Sequence, residues 1–156
     1  MIRARRCLPW GVAAALLLLD QLSKAWALSH LPPGVVAPFL PGLLQLQRVS
    51  NTGAAFSLLS GNSVALGWIS ALVSLAVVGW LLLRPPGSLW ARLAAGFMLA
   101  GAAGNGLDRW RLGSVVDFLE IVPFSFPIFN VADVAINLAV VCLLLDQLRP
   151  PPERRG

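Results

Sequence analysis

The stretch VALGWISALVSLAVVGWLLL, Val64 to Leu83, runs for twenty residues without one ionisable side chain. A helix of about 20 apolar residues is what crossing a bilayer requires, because backbone N–H and C=O groups there must bond to one another in the absence of water. Outward from that stretch lie three others of similar length and character: roughly Trp10 to Leu28, Leu89 to Leu107 and Ile128 to Leu145. The whole chain agrees with them. Of 156 residues 57% are hydrophobic and 12% charged, and the mean hydropathy of +0.75 excludes an ordinary soluble domain. Trp90 and Trp110 would stand about 30 Å apart along one helix, one membrane thickness, as interfacial anchors do.

Orientation follows from the cations. Arg3, Arg5 and Arg6 precede the first span, Arg84 and Arg92 flank the Pro85-Pro86-Gly87 turn, and Arg149, Arg154 and Arg155 follow the last span. The excess of arginine on those segments makes them cytoplasmic, with both termini inside. A net charge of +5 and a pI near 11.0 would suit a nucleic-acid binder, but the arginines are scattered over short juxtamembrane segments and not gathered on one face, so no nucleic acid is expected. The N-terminus has the arginines, apolar run and Ala25-Trp26-Ala27 of a secretory signal. Asp20 and Lys24, inside the region that would be cleaved, argue for retaining it as the first span. Cys7 and Cys142 offer no disulfide framework.

Two exported loops remain, residues 29–63 and 108–127. In the first, Pro32, Pro33, Gly34, Pro38, Pro41 and Gly42 rule out a continuous helix. Leu44-Gln45-Leu46-Gln47 alternates as a strand does, a turn follows at Asn51-Thr52-Gly53, and Ala54 to Leu59 reads as a strand or a shallow half-helix. The second, with its prolines and phenylalanines, is apolar enough to rest on the membrane surface. With no repeat and no linker, residues 1–156 form one membrane domain.

Polar residues inside apolar spans are costly and therefore informative. Asp20 and Lys24, spaced i, i+4, share a helix face and can pair, with Lys24 free to snorkel outward. Asn105 and Asp108 share a face at the end of the third span, beside Arg109; a structural clasp and a substrate contact both fit them. Asn130 and Asp133 repeat that spacing at the start of the last span, with Asn137 a turn further on, and here helix capping stands beside a chemical role. Asp117 changes the balance. The topology puts it on the same side as Asp133, and two carboxylates that meet share a proton, titrate as a unit, and can both activate water and protonate a leaving group. A cysteine and histidine pair is excluded by position: His30 lies outside and Cys142 in the cytoplasmic half of the last span. A single histidine gives no usual zinc motif, so no metal is expected.

Four motifs make the chain resemble the lipoprotein signal peptidases, or signal peptidase II, aspartyl peptidases of the bacterial inner membrane. They are Asp20-Gln21-Leu22-Ser23-Lys24; Asn51-Thr52-Gly53-Ala54-Ala55-Phe56; Gly104-Asn105-Gly106-Leu107-Asp108-Arg109 with Gly113 and Val115-Val116-Asp117-Phe118 behind it; and Phe129-Asn130-Val131-Ala132-Asp133. The resemblance implies a membrane α-helical fold of four transmembrane helices with a small exported β-cradle and half-helix. It implies Asp117 and Asp133 as the catalytic dyad, with Asp20, Asn51, Asn105, Asp108, Arg109 and Asn130 binding substrate or stabilising the site. One departure is Ala100, where the commoner motif has glycine.

The expected activity is removal of signal peptides from diacylglyceryl-modified prolipoproteins by cleavage before the lipidated cysteine, at the outer face of a multi-pass inner-membrane protein. The partners are that substrate and membrane lipids, the working form is a monomer, and no cofactor is needed. A proton- or ion-coupled transporter would also hold Asp20, Lys24 and Asp133 in spans, but would need polar groups through both leaflets, and these concentrate in the outer half. A noncatalytic helical assembly factor explains the small residues of the third span and leaves the Asn and Asp spacings without purpose.

Overall fold

The computed structural model describes residues 2–53, 62–124 and 126–148, with side chains from Arg6 onward. The half-helix expected near Ala54 to Leu59, and Arg149, Arg154 and Arg155, lie outside the described residues. Four helices and three strands follow in the order α1 (Ile2–His30), β1 (Val36–Leu40), β2 (Leu44–Asn51), α2 (Ser63–Leu83), α3 (Leu89–Leu112), β3 (Val115–Ile121) and α4 (Val131–Gln147).

Local chemistry sets the boundaries. Pro32 and Pro33 stop α1. The Asn62 side chain caps α2 by accepting from the Ala65 N–H, and Pro85 and Pro86 follow the end of that helix. Ser88 caps α3, and Gly113 closes it with φ of 73°, a left-handed conformation that glycine adopts without penalty. The helix continues past Leu107, where the expected span ends, so Asp108 and Arg109 lie in its last turns. The rest of the exported loop 108–127 is also more ordered than expected, since β3 occupies its first half.

Two helical segments, Arg6–His30 and Ser63–Leu83, are long and apolar enough to cross a membrane. α3 and α4 fall short for physical reasons: α4 has 17 residues, and α3 carries Arg92, Asn105, Asp108 and a run of small residues because it is the central helix, packed against each of the other three. Two of its glycines are required by close approach. A Cβ on Gly101 would stand 2.6 Å from the Ala132 carbonyl oxygen, and one on Gly104 would stand 2.5 Å from Asp20 Oδ2. Ala100, the departure noted above, is buried without difficulty.

Polarity is distributed the opposite way from a water-soluble bundle. Leu18, Leu72, Leu75, Leu82 and Leu144 are each more than half exposed, whereas Asp20, Lys24, Asp108, Asp117 and Asn130 are almost completely buried. A bundle surrounded by lipid has no reason to hide leucine and strong reason to bury charge in pairs.

The strands form one antiparallel sheet in the order β1-β2-β3. β1 and β2 make a hairpin turning at Gly42, which has φ of 76°. β2 extends beyond the alternation read at Leu44 to Gln47, as far as Asn51. Along β3 it pairs Asn51 with Val115 and Val49 with Asp117, a shift in register between Leu46 and Val49 intervening. Ala27, Leu31, Leu46 and Phe118 form a core that fixes the sheet to the end of α1.

Candidate active site

Asp117 reaches the site from β3 and Asp133 from the first turn of α4. One residue, Asn130, touches both. Its side-chain Nδ2 donates to Asp117 Oδ1 at 2.7 Å, and its backbone N–H donates to Asp133 Oδ2 at 3.1 Å. Its side-chain Oδ1 meanwhile accepts from the Asp133 N–H at 2.9 Å, completing a capping box at the start of α4. The capping and chemical readings of this motif are therefore not rivals: the oxygen of the amide caps the helix while its nitrogen binds Asp117.

The remaining carboxylate oxygens are also held. Asn51 Nδ2, at the end of β2, donates to Asp117 Oδ2 at 2.9 Å, and Asn105 Nδ2 donates to Asp133 Oδ1 at 2.8 Å. The turn read at Asn51 exists as a side-chain turn, with the Gly53 N–H donating to Asn51 Oδ1. Asp117 is 2% exposed, and burial pushes its carboxyl up to about 6; nearby Asp133 pushes the same way, while the bonds from Asn51 and Asn130 pull down.

Beneath this pair lies a buried ionic cluster. Lys24 Nζ is 2.9 Å from Asp20 Oδ2, 3.0 Å from Asp108 Oδ2 and 2.9 Å from Asn105 Oδ1. The side chain expected to snorkel outward is 2% exposed, because two carboxylates and an amide oxygen inside the bundle use all three of its N–H donors. Asp20 Oδ1 accepts from the Ala132 N–H, tying α1 to the first turn of α4, and Asp108 Oδ2 accepts from the Val116 N–H, tying α3 to β3.

Arg109 does not pair with Asp108. Its Nη2 donates to the Gly53 carbonyl at 3.1 Å and its Nη1 to the Asn105 carbonyl at 3.4 Å, and its buried Nε has no partner among the described residues. Asp20, Asn51, Asn105, Asp108, Arg109, Asp117, Asn130 and Asp133 converge on this one region. Asn137 does not join them: it is exposed and its amide donates to the Asp133 backbone carbonyl. Sequence reasoning gave no role to Gln21, whose Nε2 lies within bonding distance of both Asp20 Oδ2 and Asp108 Oδ1, and did not foresee that Lys24 pairs with Asp108 as well as Asp20. The available signal was charge arithmetic, since two acids sharing one bundle need a cation between them.

A lipid-facing helical bundle with a small sheet at one end and an acidic, hydrogen-bonded cluster between them defines a membrane enzyme. Solved structures agree. One described as a bacterial membrane enzyme structure determined by the in meso method at 2.3 Å matches with a TM-score of 0.86 and 27% identity over 95% of this chain and 92% of that one. A second, at 1.9 Å, matches with a TM-score of 0.82 and 28% identity.

The family model for signal peptidase (SPase) II matches residues 12–149. A lipoprotein signal peptidase of Synechococcus sp. strain RCC307 is 60% identical over 138 residues, covering 88% of this chain and 91% of the relative. One of Parasynechococcus marenigrum is 49% identical over 142 residues, covering 91% and 89%. The chain belongs to the signal peptidase II family, a family of peptidases, and its place is in a bacterial membrane.

Proposed function

We propose that this chain is an aspartyl endopeptidase that removes signal peptides from diacylglyceryl-modified prolipoproteins, cutting before the lipidated cysteine with Asp117 and Asp133 as the dyad. The observation that carries the reading is Asn130, which donates to both carboxylates and so holds an acid of the sheet beside an acid of α4. The family supplies the substrate class. The acid pair supplies a route for hydrolysis that the rest of the cluster does not.

One carboxylate takes a proton from water as its oxygen adds to the scissile carbonyl. The neighbouring carboxyl group gives a proton to the carbonyl oxygen. As the C–N bond breaks, the carboxyl group that took the proton from water passes it to the departing amine while a hydroxyl of the tetrahedral intermediate returns its proton to the other carboxylate, so the pair ends with the one shared proton with which it began. Asn51 and Arg109 lie beside the pair with N–H donors suited to the substrate backbone. Asn105, Asp20 and Asp108 support the pair from below.

Four membrane spans, one per helix, suit the exposed leucines of α1, α2 and α4 and the central place of α3. With arginine at the α1 and α2–α3 ends, both termini are cytoplasmic and the carboxylates lie near the outer face. The lipid anchor of the substrate then stays in the bilayer while its peptide bond reaches the interface. The chain works as a monomeric single domain, residues 1–156.

The deciding experiment is cleavage of a diacylglyceryl-modified precursor by purified protein, run beside the same precursor without its lipid. Asp117→Asn and Asp133→Asn each keep the side-chain shape but exchange one acceptor oxygen for an NH2 facing an N–H donor, and each is expected to lower turnover by roughly 10²- to 10⁴-fold. Undiminished turnover in either folded variant, or equal cleavage of both precursors, rejects the reading.

A further inference from the structure

At the end of the bundle remote from the carboxylates, the start of α1, the end of α2 and the start of α3 enclose a cavity of about 460 Å³. The distance matters: Arg92 and Asn105 are separated by roughly 20 Å of helix. The inner limit of the cavity is a close helix crossing, where a Cβ on Gly96 would meet the Pro9 carbonyl oxygen at 2.7 Å. Arg6 precedes Pro9 by three residues and Arg92 precedes Gly96 by four, so the two guanidiniums sit one turn beyond the crossing and line the same space.

Arg92 is fixed there. Its Nε donates to the Pro86 carbonyl at 3.0 Å and its Nη2 to the Gly87 carbonyl, which leaves further N–H donors of the guanidinium for a ligand. Among the described residues that line the cavity there is no carboxylate. Two like charges across one cavity repel, and an anion between them reverses the sign of that interaction. The other walls are apolar: Leu81 is buried, Leu82 is 67% exposed on the outside of the bundle, and Trp10 is 38% exposed at the same level.

We propose that this cavity binds the phosphate of an anionic phospholipid, with Arg6 and Arg92 on the headgroup and the Leu82 and Trp10 side open to its acyl chains. Guanidinium groups match phosphate oxygens in a two-pronged geometry, and basic pockets between membrane helices select anionic headgroups. A free phosphate ion would satisfy the arginines but leave the apolar walls against water, which is why a lipid is the better occupant. The site rests on the membrane reading of this bundle and not on the peptidase chemistry.

Delipidated full-length protein titrated with dioleoyl phosphatidylglycerol, and separately with dioleoyl phosphatidylcholine, and followed by native mass spectrometry, provides the test. One saturable phosphatidylglycerol adduct is expected, with phosphatidylcholine retained far more weakly and millimolar inorganic phosphate unable to displace the lipid. Arg6→Gln is expected to weaken the adduct roughly fivefold, and Arg6→Gln with Arg92→Gln by a further factor of about five. Arg48→Gln, on the sheet at the other end, is expected to change nothing. Because Arg92 also bonds the α2–α3 turn, Arg6→Gln decides the matter if the double variant fails to fold: Arg6 is exposed and makes no hydrogen bond among the described residues. Unchanged affinity in Arg6→Gln, equal retention of the two lipids, or displacement by inorganic phosphate overturns the assignment.

Discussion

Lys24 Nζ stands 2.9 Å from Asn105 Oδ1, and that contact helps to set which end of the Asn105 amide faces Asp133. An ammonium group only donates, so it binds the amide oxygen and turns the amide nitrogen toward the carboxylate, 2.8 Å away. Asn130 Nδ2 also donates to Asn105 Oδ1, at 3.1 Å, so Lys24→Met would remove one of the two donors that orient the amide and would leave Asp20 and Asp108 buried without their cation. Breaking a buried ionic cluster in this way costs roughly 3–5 kcal/mol. The expected result is a clear fall in the unfolding temperature in detergent together with loss of cleavage, and a variant as stable as the parent contradicts the arrangement.

Asn130 offers a way to separate helix capping from the hydrogen bond to Asp117. Asn130→Ala removes both and should destabilise the protein by about 1 kcal/mol through the cap alone. Serine retains a capping oxygen but has no amide to reach Asp117. Asn130→Ser should therefore regain most of the lost stability while turnover remains low, a split visible by comparing thermal unfolding with initial rates. Parallel recovery of both quantities would show that capping is its whole contribution.

The pH dependence has a definite sign. Burial first, and Asp133 next, hold the Asp117 carboxyl at about 6, above the ordinary 3.8. Its protonated form is thus favoured by folding: the stabilisation is complete below about pH 3.8 and is lost as pH rises through about 6. Rate profiles of kcat/KM should show an inflection in that region. The Asn51 amide favours the ionised form, so Asn51→Ala should move the inflection to higher pH. A shift downward would contradict the stated balance.

Gly104→Ala tests the closest packing near the site. The added methyl would meet Asp20 Oδ2 at 2.5 Å and Ala132 Cβ at 3.3 Å, so α1 or α4 must give way. Overpacking of this kind costs roughly 1–3 kcal/mol and should disturb the Asp20 bond to the Ala132 N–H. Thermal unfolding checks the first effect and precursor cleavage the second. Alanine at Gly79, where nothing lies within 4 Å, is the control expected to leave both unchanged.

Much of this was legible in the sequence, for identifiable reasons. Long apolar runs name helices without help from partners, and carboxamides and carboxylates embedded in such runs announce a site because lipid makes them costly. β3 was harder to see: Val115 to Ile121 is buried over its first half and pairs with a strand more than sixty residues away, so no alternation marks it. The buried position of Lys24 was hidden for a similar reason. Snorkelling is the cheaper course for a lone lysine, and only the convergence of α1, α3 and β3 brings Asp108 within reach.

Main-chain bonds lie on either side of the acid pair. The Phe118 and Leu119 N–H groups both donate to the Phe129 carbonyl, at 3.0 and 2.9 Å, and the Phe129 N–H returns a bond to the Leu119 carbonyl. Asp117 and Asn130 are the immediate chain neighbours of this clamp. The gauge between strand and helix is thereby written in peptide groups, which every residue except proline can supply in full. The Phe118 ring serves the core under the sheet, and the gap in which a peptide bond must fit is set by the backbone beside it, where a proline at 118, 119 or 129 would remove one of the N–H donors.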